Sequence, residues 1–411
     1  MKQEKAILAE VVIGQEKKSL QELASLASTA GATVAGTITQ NRSRPDQRYY
    51  IGEGKLIELK ALVEKEGANL VIFDNELKPS EIMNLQKDLG VKVIDRTGLI
   101  LDIFAQHAHT REGKLQVELA QLNYALTHLT GKGVELSQLG GGIGTRGPGE
   151  TKLEVDRRRI KKRISMLKKD LDDIRRHRSI RREARRASLL PVAAIVGYTN
   201  SGKSTLLNAL TEAGVLVEDK LFATLDPTTR RAKLPNGWDI LLTDTVGFIQ
   251  KLPHGLIEAF KATLEEITEA DILIHVIDST HPDIEEQINA VYRTLEDLDS
   301  ISKPIITAFN KIDGLTTNLP KTLLNKFSPA VQLSALKRTG LDGLLNAILE
   351  HLRGSMIKVE FRIPQSKGDL ISYLHDHGHV LSKKYTGDHC DMKVEIDEIT
   401  AKRLEKFIRY D

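Results

Sequence analysis

The feature that most constrains the fold is the run Gly197-Tyr198-Thr199-Asn200-Ser201-Gly202-Lys203-Ser204, which reads G-x-x-x-x-G-K-S. The apolar stretch VAAIV enters it, and STLLNALTEAG, apolar at helical spacing, leaves it. Strand, glycine loop and helix in that order make a phosphate-binding loop. Its glycines let backbone N–H groups curl around phosphate oxygens, and the helix N-terminus favours their charge. Lys203 then reaches the outer phosphates, and Ser204 supplies an oxygen to Mg²⁺. The fold that presents such a loop is an α/β domain, a mostly parallel sheet with flanking helices.

Three further motifs follow in order, each after a predicted strand. Asp244-Thr245-Val246-Gly247 follows ILLT and places an aspartate at a strand end, where it can hold Mg²⁺ while the Gly247 N–H faces the outermost phosphate. Asn310-Lys311-Ile312-Asp313 follows IITAF. An aspartate there accepts two hydrogen bonds from guanine, and adenine offers no matching donor pair. Ser334-Ala335-Leu336 follows a fourth strand and is expected to back the base. Between the first two motifs lies FATLDPTTR, from which Phe222, Ala223 and Thr224 are expected beside the nucleotide and Thr228 over metal and phosphate; Thr205 completes the loop. Ser204, Thr228 and Asp244 form the expected Mg²⁺ set.

The residue after the second motif is Phe248, where many nucleotide switches carry a glutamine that orients the attacking water. Phenylalanine cannot hydrogen-bond water, so hydrolysis is expected to be slow without a partner. Lys203, Thr228, Gly247 and Phe248 are therefore the expected catalytic positions. Arg230 and Arg231 read either as charge stabilisers or as exposed arginines at a strand start. Asn200 gives the loop the form G-x-x-N-x-G-K-S, which leaves a monovalent cation such as K⁺ open as a second cofactor.

Four domains are expected: an α/β domain over 1–108, a helical hairpin over 109–188, the nucleotide domain over 189–355 and a small α+β unit over 356–411. In the first, short apolar runs alternate with helical patterns, which predicts a partly parallel sheet. In the second, Leu115, Leu119, Leu122, Leu126 and Leu129 recur at 4,3,4,3, as do Ile160, Ile164, Leu167, Leu171 and Ile174. These seams predict two antiparallel helices with residues 131–151 at the tip. That tip contains GGIGTRGPGET, which spells the dinucleotide fingerprint G-x-G-x-x-G. The fingerprint needs a strand before it and a βαβ unit around it, and here a helical seam precedes and a basic helix follows. It reads instead as a flexible tip that presents Arg146.

Charge is spread unevenly. The chain of 411 residues has net charge +3, yet Lys152 to Arg186 holds 16 Lys/Arg against 6 Asp/Glu, 16 − 6 = +10, leaving 3 − 10 = −7 elsewhere. Such a segment reads as an arm for a polyanion or as a solvated helix face. Arg146, Arg157, Arg158, Lys161, Lys162, Arg175 and Arg176 are its candidate RNA contacts. One cysteine, Cys390, and no apolar run of membrane-spanning length predict a cytoplasmic protein without disulfides. The cluster His375, His377, His379, His389 and Cys390 lacks a metal-ligand spacing and reads as surface histidines, and Trp238 reads as turn packing.

With these motifs in place, GGIGTRGPGETKLEVDRRRI, GYTNSGKSTLLNAL, LFATLDPTTR, DTVGFIQKLP, NKID and the upstream RPDQRYYIGEGK resemble the HflX GTPases over residues 5 to 355. The resemblance implies a GTPase that binds the large ribosomal subunit, is stimulated there, and splits or rescues stalled or idle ribosomes under stress. It names ribosomal RNA as the polyanion, and Phe248 matches the family's hydrophobic residue in place of glutamine. Two rival readings are a GTPase assisting large-subunit assembly, and a non-enzymatic RNA-binding module with a GTP-sensing tether.

Overall fold

The computed structural model describes residues 4–14, 19–129, 148–187, 190–211, 221–222, 224–251, 264–354 and 356–409. The chain forms two compact units: Met1–Arg175 with Asp219–Asp226 and Lys251–Lys261, and Arg176–Glu218 with Pro227–Gln250 and Ala262–Asp411.

The first unit carries β1 (Lys5–Ile13), α1 (Leu20–Thr29), β2 (Thr33–Arg42), α2 (Glu53–Glu66), β3 (Leu70–Phe73), α3 (Pro79–Leu89), β4 (Lys92–Asp95) and α4 (Arg96–His107). Its sheet runs β2-β1-β3-β4, and every pairing is parallel. The sequence suggested only partial parallelism. Each pair of successive strands is joined by a helix of ten residues or more, long enough to cross the sheet and return in the same direction. Buried Ile7, Ala9, Val71, Phe73 and Val93 pack under Leu59, Val63, Ile82 and Leu85 from the helices.

After α4 come α5 (Arg111–Leu129) and the long helix α6 (Pro148–Ala187). Leu119, Ile164, Leu167 and Leu171 are buried together, with Leu115, Leu122, Leu126 and Ile160 against them, so the two a/d seams do face each other. Arg163 clasps Glu118 beside the seam with bonds of 2.7 and 2.9 Å. The glycine-rich tip and Arg146 lie outside the described residues.

After the end of α6, the second unit carries β5 (Val192–Gly197) and α7 (Lys203–Thr211), then β6 (Thr228–Lys233), β7 (Asp239–Asp244), β8 (Ile272–Asp278), α8 (Ile284–Asp297), β9 (Ile305–Asn310), α9 (Lys321–Lys326), β10 (Ala330–Gln332) and α10 (Leu341–Gly354). Its six-stranded sheet runs β10-β9-β8-β5-β7-β6, parallel except for the β6–β7 hairpin. Trp238 packs at the foot of that hairpin against the sheet core. The chain ends in β11 (Met356–Pro364), α11 (Gly368–His377), β12 (His379–Thr386), β13 (His389–Asp397) and α12 (Glu398–Arg403). These form an antiparallel sheet, β11-β13-β12, whose inner face buries Phe361, Ile363, Met392, Val394 and Ile396 against Ile371, Leu374 and Leu404. Cys390 joins that core, His377 stacks on Tyr373, and His375 Nε2 meets Lys383. Among the described residues no group of three His, Cys, Asp or Glu is placed to hold a metal ion.

Candidate nucleotide-binding site

The site grows from the carboxyl ends of β5, β7, β8 and β9, in the place an open parallel sheet reserves for ligands. β5 is buried along its length after Val192, which fixes where the loop leaves the sheet. Asn200 takes a left-handed backbone, φ 60°, a region that short polar side chains tolerate. Lys203 opens α7 and turns back over the loop, donating to the carbonyls of Gly197 at 3.2 Å and Tyr198 at 2.8 Å. Burial pushes its ammonium down to about 8, against the pull of Asp244. A phosphate beside such a lysine would restore the charged form.

Two loop hydroxyls, Thr199 Oγ1 and Ser201 Oγ, are buried and have no hydrogen-bond partner among the described residues. Buried polar groups are almost always paired, so these are groups prepared for a polar ligand. Ser204 Oγ donates to Asp244 Oδ2 at 2.6 Å, which brings together two of the three expected metal ligands. Thr228, the third, begins β6 directly opposite Asp244 in the β6–β7 register. Hard oxygens of this kind suit Mg²⁺, which keeps waters and phosphate oxygens in its remaining positions.

The second motif is laced to the loop through the backbone. Thr199 N–H donates to the Phe248 carbonyl at 2.8 Å, and Phe248 N–H donates to the Gly197 carbonyl at 3.0 Å. Thr245 Oγ1 donates to the Ile195 carbonyl at 2.7 Å, and Val246 is buried. A Cβ on Gly247 would stand 2.8 Å from Thr199 Cα and 2.9 Å from Lys203 Nζ, so only glycine brings this strand end against the loop. The Phe248 side chain is 2% exposed, an apolar body held beside the phosphate loop.

The motifs expected to read the base are joined by one side chain. Asn310 Nδ2 donates to the Ser201 carbonyl at 2.9 Å, and Asn310 Oδ1 accepts from Ala335 N–H at 2.9 Å. Asn310 thus positions the phosphate loop against the Ser334-Ala335-Leu336 turn. Lys311 is held by Asp278 at 2.7 Å; burial opposes ionisation of Asp278, yet bonds from Lys311 and Thr280 lower its pKa. Asp313 lies exposed on a single 3-10 turn (Ile312–Gly314), Ser334 Oγ accepts from Lys337 N–H at 3.0 Å, and Leu336 stands out 73% exposed.

Phe222 is buried with its ring edge-on to Phe104, centroids 4.7 Å apart, so only its backbone remains for a nucleotide. Thr224 is half-buried, and Ala223 lies outside the described residues. Arg231 pairs across the hairpin with Asp239 at 3.3 Å, and Arg230 bonds the adjacent Thr229 carbonyl. Arg157, Arg158, Lys161, Lys162 and Arg176 are exposed on α6, and the side chain of Arg175 falls outside the description. Sequence reasoning missed His275 on β8, paired in register with Val196, its Nδ1 buried with no hydrogen-bond partner among the described residues and its pKa pushed by burial to about 3. A lone histidine in an apolar strand carries no motif that would have singled it out.

Comparison with known proteins gives this site its family. Family models cover nearly the whole chain: GTP-binding GTPase N-terminal over residues 17–105, GTP-binding GTPase Middle Region over 107–185, 50S ribosome-binding GTPase over 192–311 and HflX C-terminal domain over 323–409. The chain is 50% identical to GTPase HflX of Caldanaerobacter subterraneus subsp. tengcongensis over 98% of its own length and 94% of the relative's. The chain belongs to the HflX family of GTPases. GTPase HflX of Escherichia coli is 44% identical over 90% of this chain and 88% of that one. The crystal structure of a GTP-binding protein from Sulfolobus solfataricus in complex with GDP matches 84% of this chain and 98% of that chain, with 29% identity and TM-score 0.46. The expected family, the phosphate-loop fold and the assignment as a GTPase are thereby met, and no helix among the described residues is long and apolar enough to cross a membrane.

Proposed function

We propose that this HflX-family protein is a GTP- and Mg²⁺-dependent switch of the cytoplasm that binds the large ribosomal subunit, hydrolyses GTP faster there, and splits or rescues stalled or idle ribosomes. The observation that carries the reading is Phe248, an apolar residue buried against the phosphate loop where a water-orienting side chain would serve hydrolysis. Lys203 neutralises the β- and γ-phosphates, and the buried hydroxyls of Thr199 and Ser201 find partners there. The Gly247 N–H, packed beside Lys203, faces the γ-phosphate. Ser204, Thr228 and Asp244 would hold Mg²⁺, which supplies charge neutralisation when bound. Asp313 reads guanine, Lys311 is fixed beside it by Asp278, and Asn310 keeps base and phosphate subsites in register. Asn200 is placed in the loop to assist a bound K⁺. Phe248 cannot align a water, so the ribosome is assigned that task.

The exposed Arg157, Arg158, Lys161, Lys162 and Arg176 of α6, with Arg175 of the same basic stretch of sequence and Arg146 just before it, are assigned to ribosomal RNA. The division into domains 1–108, 109–188, 189–355 and 356–411 follows the same reading. The test is GTP turnover with and without purified large subunits, followed by sedimentation of 70S particles with a non-hydrolysable GTP analogue. Stimulation by about 100-fold or more, of the order partners supply to other switches, is expected; a rate indifferent to the subunit overturns the reading.

A further inference from the structure

Helix α4 receives both segments that border the nucleotide loops. Phe222 and Asp226, the latter two residues before Thr228, and Lys251, three residues after Phe248, belong to the compact unit of the N-terminal sheet. Lys251 Nζ donates to Asp74 Oδ2 at 2.7 Å and to Ser19 Oγ at 3.0 Å. Asp74 is fully buried, and its other oxygen takes the guanidinium of Arg96, the first residue of α4, at 2.5 Å. Burial opposes ionisation of Asp74, but Arg96 and Lys251 together lower its pKa. At the other end of α4, Asp226 accepts from His109 N–H at 3.2 Å, Thr110 N–H at 2.9 Å and Thr110 Oγ1 at 2.5 Å. Thr110 in turn accepts from Gly113 N–H at 3.0 Å, so Asp226 completes the N-terminal cap of α5. A Cβ on Gly113 would lie 2.6 Å from Asp226 Oδ1, so any larger residue there makes the carboxylate shift from its present place. Between the two ends, Phe104 of α4 packs on Phe222.

We infer that Asp226 and Lys251 link nucleotide occupancy to α4 and the first turn of α5, the start of the helical arm. The physical ground is short covalent reach. A γ-phosphate that draws on Thr228 and Gly247 pulls on chains fixed two and four residues away, and both fixed points are buried or capping ion contacts with discrete partners. Displacing either one exchanges paired for unpaired groups, which gives the junction two arrangements rather than a continuum. Linkage requires the reverse effect as well: whatever repositions α5 alters the relative affinity for GTP and GDP.

The test is amide exchange on the full chain over residues 96–114, with GDP and with a non-hydrolysable GTP analogue. Protection there should differ about fivefold or more between the two nucleotides, the lower range of known couplings. Gly113→Ala, which displaces Asp226 without changing any charge, and Lys251→Met should each shrink that difference below about twofold, with GDP affinity unchanged, and Lys251→Arg should restore it. Exchange in the unaltered protein that is the same with both nucleotides overturns the linkage, as does a difference that survives in both variants. Failure to bind either nucleotide would bring down the guanine site itself, which is a separate result.

Discussion

Two sheets in this chain, one parallel and one parallel but for its edge hairpin, each present a crevice where strand order reverses, and they are furnished in opposite ways. Between β1 and β3 the crevice holds Glu10, Ser19 and Asp74, and the chain itself fills it: Ser19 bonds Glu10 and Asp74, Arg96 and Lys251 neutralise Asp74. Between β5 and β8 the crevice holds a buried lysine on backbone carbonyls and two hydroxyls with no partner among the described residues. The same topology thus yields one site closed by internal ion pairs and one left with polar groups for a phosphate. Architecture offers the position; the side chains at the strand ends decide whether it is structural or functional.

The strongest challenge to this contrast is Asp74→Ala. It removes one of the carboxylates paired with buried Arg96, Glu22 being another, and should cost about 3 kcal/mol, the lower end for a broken buried ion pair. Amide exchange in β1 and β3 checks it, and an unchanged opening free energy would show that the first crevice is not held by its ions. Lys203→Ala should do the reverse, lowering GTP turnover by about 100-fold or more while the unfolding midpoint stays put; single-turnover kinetics beside thermal melting measure both.

The two serines give a paired test. Ser19→Ala removes a hydroxyl bonded to carboxylate and should destabilise the N-terminal unit by about 1.5–3 kcal/mol. Ser201→Ala removes one that has no partner among the described residues and should change stability by less than about 0.5 kcal/mol, with the loss appearing in GDP affinity instead. Equal stability losses in chemical denaturation would erase the distinction.

The smallest expected effect follows from pH. The folded pKa of Lys203 is depressed to about 8 from 10.5, so nucleotide-free protein sheds this proton as pH rises through about 8. Phosphate restores the charge, hence binding takes up a proton above that pH, and affinity should fall by at most about tenfold per pH unit there. Calorimetry in two buffers of different ionisation enthalpy reads the proton directly. For folding the sign is opposite: the unfolded lysine holds its proton longer, so this group's penalty is constant below 8 and fades as pH climbs toward 10.5.

Much of the nucleotide crevice was legible in the sequence, because each motif encodes a local backbone shape beside a strand end. Gly197 to Ser204, Asp244 to Gly247 and Asn310 to Asp313 lie where short-range patterns put them, and the two leucine–isoleucine seams meet as their spacing requires. The role of Asn310 was not legible. A guanine-motif asparagine reads as a base contact, and its two bonds to Ser201 and Ala335 exist only once three loops converge. Nor does any local pattern announce the packing of the Phe222 ring on Phe104.

The sequence by itself determined the motifs at the carboxyl ends of β5, β7 and β9, the family and the apolar faces of the arm. Those properties reside in contiguous residues, where glycine conformations, helix periodicity and charge act over one or two turns. The tertiary structure alone decided that every strand of the first sheet runs parallel. It alone brought Lys251 to Asp74 across 177 positions and Asp226 to Thr110 across 116. An ion pair is selected by burial and distance, and neither exists until the chain has folded.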